Sequence, residues 1–285
     1  MQSCRTTVVI ITRDRAGRLR QTLEQLSALP ERPPIIVVDN GSTDATRSVI
    51  EAAGPHVRGV LLGRNRGAAG RNAGVQLAAT PYVAFSDDDS WWAPGSLARG
   101  AEYFDRYHRL ALLCGLVTVG SHQRIDPTCL AMRRSPLPRA PDLPGPSILG
   151  FVACGAMVRR TAFLQTGGFH SRFEVGGEEM LLAIDLARRG WGLAYCEDVL
   201  AHHHPDATGE RPGRRARMVR NALWTTWLRR SGREAIAATA AALRAAARDP
   251  AARAGLSAAF GGIAWVLRER APVGLPLEAK LRLLE

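Results

Sequence analysis

Residues 7–14 read Thr7-Val8-Val9-Ile10-Ile11-Thr12-Arg13-Asp14: a β-branched apolar run that changes abruptly to polar side chains. Unbroken rather than alternating hydrophobicity is what a strand buried on both faces requires. Working outward, residues 16–29 carry Leu19, Leu23 and Leu26 on one helical stripe. Ile35-Ile36-Val37-Val38 repeats the buried strand and Asn40-Gly41-Ser42 forms a turn. A helix follows over 43–53, with Ser42 or Thr43 as its N-cap. A third strand is expected over 57–62, a helix over 70–79, and a fourth strand at Tyr82-Val83-Ala84-Phe85. Strand and helix in alternation imply an α/β fold built on parallel strands.

In such sheets ligands bind beyond the carboxyl ends of the strands. The polar groups sit there: Thr12-Arg13-Asp14, Asp39-Asn40, Arg64-Asn65 and Asp87-Asp88-Asp89. Three adjacent carboxylates repel one another unless a cation shares them. Mg2+ and Mn2+ are held by carboxylates together with substrate phosphates, so the triplet predicts a divalent-metal site gripping a diphosphate. Asp39 is placed to accept from a nucleobase N–H or a ribose hydroxyl. Residues 64–74, Arg-Asn-Arg-Gly-Ala-Ala-Gly-Arg-Asn-Ala-Gly, form a Gly-rich entry to a helix, where Arg71 offers forked donors to phosphate or to the carboxylates.

The formal charge of +12 invites an anionic partner, but much of the excess lies in an Arg-rich tail after Gly209. A nucleic-acid-binding protein would interleave basic and aromatic residues on one face. Here aromatics are 6% of the chain and three acids stand where a nucleic-acid groove is positive, so no nucleic acid is expected. Five scattered cysteines without a CxxC pair fit a reducing cytoplasm rather than a disulfide framework. Nothing near residue 1 reads as a signal peptide, and no run approaches the ~20 apolar residues of a membrane span. Five prolines between 136 and 146 make residues 135–147 a long loop. Residues 180–189 read as a helix, and from Gly213 the chain is helical and basic. Its segment 214–230 can lie on an anionic membrane surface. Alternatively it packs Trp224 and Trp227 inward and leaves its arginines in water.

Four stretches occurring together resemble the bacterial family 2 glycosyltransferases. They are Thr12-Arg13-Asp14-Arg15, Val38-Asp39-Asn40-Gly41-Ser42-Thr43-Asp44, Asn65-Arg66-Gly67 leading to Arg71-Asn72-Ala73-Gly74, and Phe85-Ser86-Asp87-Asp88-Asp89. Gly176-Gly177-Glu178-Glu179 extends the match, which covers about residues 6–205. The resemblance implies a GT-A fold, a Rossmann-like nucleotide-diphospho-sugar transferase with a mixed, mostly parallel sheet flanked by helices and a C-terminal helical tail. It implies a donor-binding half over 1–115, an acceptor-binding half over 116–210 and a basic extension over 211–285. Donor contacts fall on Thr12, Arg13, Asp39, Asp44, Arg71, Asp87 and Asp88. Metal contacts fall on Asp87, Asp89 and His202, the metal being Mn2+ or Mg2+. The general base falls on Glu179 beside Glu178. The acid that many relatives carry two residues beyond that pair is Leu181 here.

The implied activity is inverting transfer from a UDP-, dTDP- or GDP-sugar to a sugar, a lipid-linked or a small-molecule acceptor. A nucleotidyltransferase of related fold would need more glycines after the first strand than Thr12-Arg13-Asp14-Arg15-Ala16-Gly17 supplies. His202-His203-His204 in a strand point to alternating faces, so all three cannot converge on one ion.

Overall fold

A computed structural model describes residues 4–206 and 213–285. The first half alternates as expected: β1 (Thr6–Thr12), α1 (Ala16–Ser27), β2 (Ile35–Asp39), α2 (Thr46–Ala52), β3 (Val57–Leu61), α3 (Arg71–Leu77) and β4 (Tyr82–Asp87). Then come β5 (Ser90–Trp92), α4 (Ser96–Arg106), β6 (Leu110–Val119), β7 (Arg124–Ile125), α5 (Pro127–Arg133), β8 (Ala156–Arg159), α6 (Arg160–Thr166), α7 (Glu178–Arg188) and β9 (Gly192–His203). Five helices close the chain: α8 (Arg214–Arg229), α9 (Gly232–Ala246), α10 (Pro250–Gly261), α11 (Ile263–Glu269) and α12 (Leu275–Arg282).

The sheet runs β3-β2-β1-β4-β8-β6-β9-β5, with β7 added to β6. β3, β2, β1 and β4 are parallel. β8 enters antiparallel between β4 and β6, and β6 returns parallel to β9. Val8, Val9, Ile10, Val37 and Val38 are fully buried, as helices on both faces demand. Registers fix the site: Thr12 pairs with Asp39 and Ile11 with Asp87, so the polar ends of β1, β2 and β4 lie at one level.

Two boundaries depart from expectation. Ser42 does not cap α2; its N–H and hydroxyl donate to the Asp39 carboxylate, and Asp44 accepts from Thr46 N–H at 3.0 Å. α7 begins at Glu178 rather than Met180, because Gly176 and Gly177 at φ 100° and 92° turn the chain straight into the helix.

The C-terminal helices form a second core in which Trp224, Trp227, Trp265 and Leu228 meet Phe173 and Leu181. α8 therefore packs its tryptophans inward: Trp224 donates to the Ala259 carbonyl at 3.0 Å, and Arg220 stacks over the same indole at 4.5 Å. The expected boundary at 210/211 lies outside the described residues. Among those residues no helix is long and apolar enough to cross a membrane.

Asn221, fully buried on α8, joins this core to the turn before α7. Its amide donates to Phe173 O at 2.7 Å and Gly176 O at 2.6 Å. Asn221→Ala leaves Gly176 O without that donor, while Arg220 still reaches Phe173 O at 3.2 Å, so urea unfolding is expected to show a loss of ~1–3 kcal/mol. An unchanged midpoint and slope would remove Asn221 from this anchoring role.

Candidate active site

Asp87 ends β4, and Asp88-Asp89 make the two-residue turn into β5. The turn is pinned: Asp87 N–H donates to Ser90 Oγ at 2.7 Å, and Thr22 of α1 donates to the Asp88 carbonyl at 2.8 Å. The three carboxylates then take different partners. Asp87 pairs with Arg71. Asp88 accepts from Thr12 Oγ1 at 2.9 Å and faces Arg15 at 3.2 Å. Asp89 accepts from Arg15 at 2.9 Å and lies 3.4 Å from His203 Nε2. Burial pushes Asp88 up to about 7 against the pull of Arg15. The same burial acts on Asp89, but His203 and Arg15 outweigh it and hold Asp89 below its ordinary value.

The sequence points to His202, whereas the histidine facing these acids is His203. β5 pairs antiparallel with β9, setting Ser90 opposite His203 and Trp91 opposite His202. Neighbours on a strand point to opposite faces. His202 accordingly bonds Thr118 Oγ1 at 3.0 Å through Nδ1, and His204 stacks on Trp91 at 4.6 Å. Burial, then the nearby His204, lowers His202's affinity for a proton. Burial has the same sense at His203, but Asp89 reverses it and the net shift is upward.

Arg71 pairs with Asp87 and pulls both carboxyls of the glutamate pair down. It is 5% exposed, packs over Phe169 at 5.7 Å, and its Nε has no hydrogen-bond partner among the described residues. A buried guanidinium donor without a partner is suited to a phosphate oxygen. The segment before α7 is clamped to the same loop: Ala68 N–H donates to Glu174 O at 2.6 Å, and Asn72 bonds both N–H and C=O of Phe169. Gly67, at φ 58°, permits this approach, since a Cβ there would stand 2.4 Å from Glu174 O.

Glu178 and Glu179 occupy the first turn of α7, where the helix dipole favours carboxylates. Glu178 is 4% exposed and accepts from Gly176 N–H; Glu179 opens into a cavity between α5, α7 and residues 148–151. Burial raises both, and for Glu179 the repulsion of Glu178 adds to it, with Arg71 pulling both down. Burial outweighs the dipole, and Glu179 is held well above the ordinary glutamate range.

Of the other expected donor residues, Asp44 lines an open cleft of about 500 Å3 together with Asp14, Arg15 and Asp206. Asp39 is buried at the end of β2, and Asp44 is engaged in capping α2. Arg13 is exposed and pairs with Asp14 at 3.5 Å, away from the acids. The cation that reaches Asp88 and Asp89 is instead Arg15, which also binds Asp206 at 2.8 Å. Arg15 falls within the quoted first motif, but its role depends on the fold bringing α1 against the β4–β5 turn.

The donor set fits a divalent metal. Atoms of Asp87, His203 and Cys154 lie within 4.8 Å of one another, and Asp89 adjoins His203. Carboxylate oxygen and imidazole suit Mn2+. Burial keeps the Cys154 thiol protonated, so it does not supply a soft thiolate.

Residues 7–167 match the model of "Glycosyl transferase family 2". The chain belongs to glycosyl transferase family 2. It is a glycosyltransferase, and the family's GT-A architecture is the mixed sheet described above. A family 2 relative from Mycobacterium tuberculosis, N-acetylglucosaminyl-diphospho-decaprenol L-rhamnosyltransferase, is 28% identical over 72% of this chain and 78% of its own. Succinoglycan biosynthesis protein ExoU of Rhizobium meliloti is 29% identical over 48% of this chain and 41% of its own. Among solved structures, the mannosyltransferase PcManGT from Pyrobaculum calidifontis, in complex with GDP-Man and Mn2+, superposes with TM-score 0.58 at 18% identity. That match covers 98% of this chain and 85% of that one. TarS of S. aureus in complex with UDP-GlcNAc gives 0.60 at 15% identity, over 82% of this chain and 69% of that one.

Proposed function

We propose that this family 2 enzyme transfers a sugar, with inversion, from a nucleotide-diphosphate sugar to an acceptor hydroxyl deprotonated by Glu179. The observation that carries the reading is the cluster at the sheet edge: Asp87 pairs with the buried Arg71, Asp89 meets Arg15 and His203, and atoms of Asp87 and His203 lie within 4.8 Å of each other.

The donor residues in this reading are Thr12, Arg13, Asp39, Asp44, Arg71, Asp87 and Asp88. Arg71 Nε, without a partner among the described residues, would take a phosphate oxygen, and Asp39 would accept from the ribose or base. Asp87, Asp89 and His203 would hold Mn2+ or Mg2+, since His202 turns to the other face and bonds Thr118. When bound, that ion neutralises charge developing on the departing nucleoside diphosphate. Glu179, held among apolar residues, takes the hydroxyl proton on the face opposite the leaving group. Five unpaired cysteines agree with a reaction on the cytoplasmic side.

The test is a thermal-shift screen of UDP-, dTDP- and GDP-sugars with Mn2+ and with EDTA. One nucleotide family is expected to stabilise the protein by mass action, and EDTA to remove the effect. A donor that stabilises equally in EDTA would contradict the metal assignment. His203→Ala is expected to weaken Mn2+ binding in the presence of nucleotide by about 10–100-fold, a range typical of damaged metal sites, with His202→Ala nearly silent. The reverse order, read by Mn2+ paramagnetic titration, would restore His202 to the metal.

A further inference from the structure

We infer that the acceptor is an alcohol whose hydroxyl is carried directly on a compact apolar body, and that this body occupies the cavity beside Glu179. The inference rests on the reading of Glu179 as the base and adds the chemistry of what it deprotonates.

The cavity has a volume of about 330 Å3, at the small end of the range for small-molecule sites. Met132 of α5, Ile148, Leu149 and Phe151 form its floor and are buried, while Met180 and Leu284 stand at its mouth, 39% and 40% exposed. Leu284 is held there because α12 docks through Leu281 onto Leu137, Leu149 and Ile184. Leu284 is thus one wall of the cavity.

Glu179 supplies the cavity's ionisable group, and no Lys, Arg or His lines it among the described residues. Of its hydroxyls, that of Ser135 already donates to Ser147 O at 2.6 Å. Beyond Glu179, Thr128 and Ser135 the side chains lining the cavity are apolar, so a free sugar would set most of its hydroxyls against carbon. A sugar joined to a lipid through a diphosphate would bring two anionic groups to an apolar wall beside a carboxylate. A ring-sized apolar body with one hydroxyl meets neither penalty: its carbon fills the floor and its oxygen reaches Glu179.

The test uses the full-length protein labelled at the methionine methyls and read by NMR, with 2-naphthol as the apolar alcohol. N-acetylglucosamine and farnesyl-diphospho-N-acetylglucosamine are the comparison arms. 2-Naphthol is expected to shift the Met132 and Met180 signals and to leave Met157, buried on β8 against α4, unmoved. Both comparison arms are expected to need at least tenfold higher concentration for the same shift. Leu284→Lys, at an exposed position, should retain the melting temperature and weaken 2-naphthol at least tenfold, read at Met132. Silent methionines, an equal response to either comparison arm, or a Leu284→Lys protein that binds as well as the parent would each overturn the inference. Those results leave the base untouched. Conversely, 2-naphthol binding together with full turnover by Glu179→Gln would remove the base and leave the cavity's occupant as stated.

Discussion

Glu179→Gln is expected to lower kcat about 10³-fold while leaving the dissociation constant of the nucleotide-sugar within about twofold. The amide has the shape of the carboxylate but cannot take a proton, and a positioned general base is worth roughly 10²–10⁴. The substitution also withdraws one of two like charges crowded at the start of α7, where burial already raises both carboxyls. The variant should therefore fold at least as well as the parent, so lost turnover cannot be ascribed to unfolding. The pH dependence follows from the same shift. Only ionised Glu179 accepts a proton, and its ionisation lies above the ordinary glutamate value of ~4.3. Turnover then falls as pH drops through that elevated range rather than near pH 4. Glu178→Gln removes the repulsion and should move the acid limb of kcat to lower pH. A limb at the ordinary position in the parent enzyme, or one that Glu178→Gln leaves in place, would separate Glu179 from the proton transfer.

Asp89→Asn carries the second largest effect, a fall in kcat/KM of about 10²–10³, comparable to the loss of one electrostatic contact to developing charge. Asp89 is 5% exposed, tied to Arg15 at 2.9 Å and adjoins His203 at 3.4 Å. The amide keeps the turn but removes the charge that holds His203 and, in our reading, the metal. The effect should appear with the donor and not in the melting temperature, because Thr12, Thr22 and Ser90 continue to pin the turn. Steady-state kinetics with varied donor and Mn2+ measure it. An unchanged kcat/KM would mean that Asp89 serves only as Arg15's structural partner.

The half of the fold that is local in sequence is also the half that could be read from it. β1, β2 and β4 announce themselves because strands covered on both faces are unbroken Val, Ile and Phe runs, and their carboxyl ends mark the acids without further geometry. β8, β6 and β9 pair across long separations, with register shifts between Gly115 and Leu116. No periodicity within each segment specifies that order. Which histidine faces the acids was not legible for this reason: a single step in register exchanges the faces of a strand, and only the pairing with Ser90 turns His203 toward Asp89. Arg15 was hidden differently. Its motif was visible, but which of two neighbouring arginines turns inward depends on Asp14, at φ 53°, redirecting the chain before α1. The cavity at Glu179 had no signature at all, because residues 148–151, α5 and Leu284 meet only in the folded chain.

In the proposed reaction the acids closing β4 take a cation together with a nucleoside diphosphate. The most direct measurement is an electron paramagnetic resonance titration of Mn2+ against the protein with saturating UDP, GDP or dTDP, repeated on Asp87→Asn/Asp89→Asn. One nucleotide is expected to draw Mn2+ into a site showing coupling to an imidazole nitrogen, and the double variant to lose that site while keeping its melting temperature. A double variant that binds Mn2+ with nucleotide as tightly as the parent, with the same nitrogen coupling, would contradict the account.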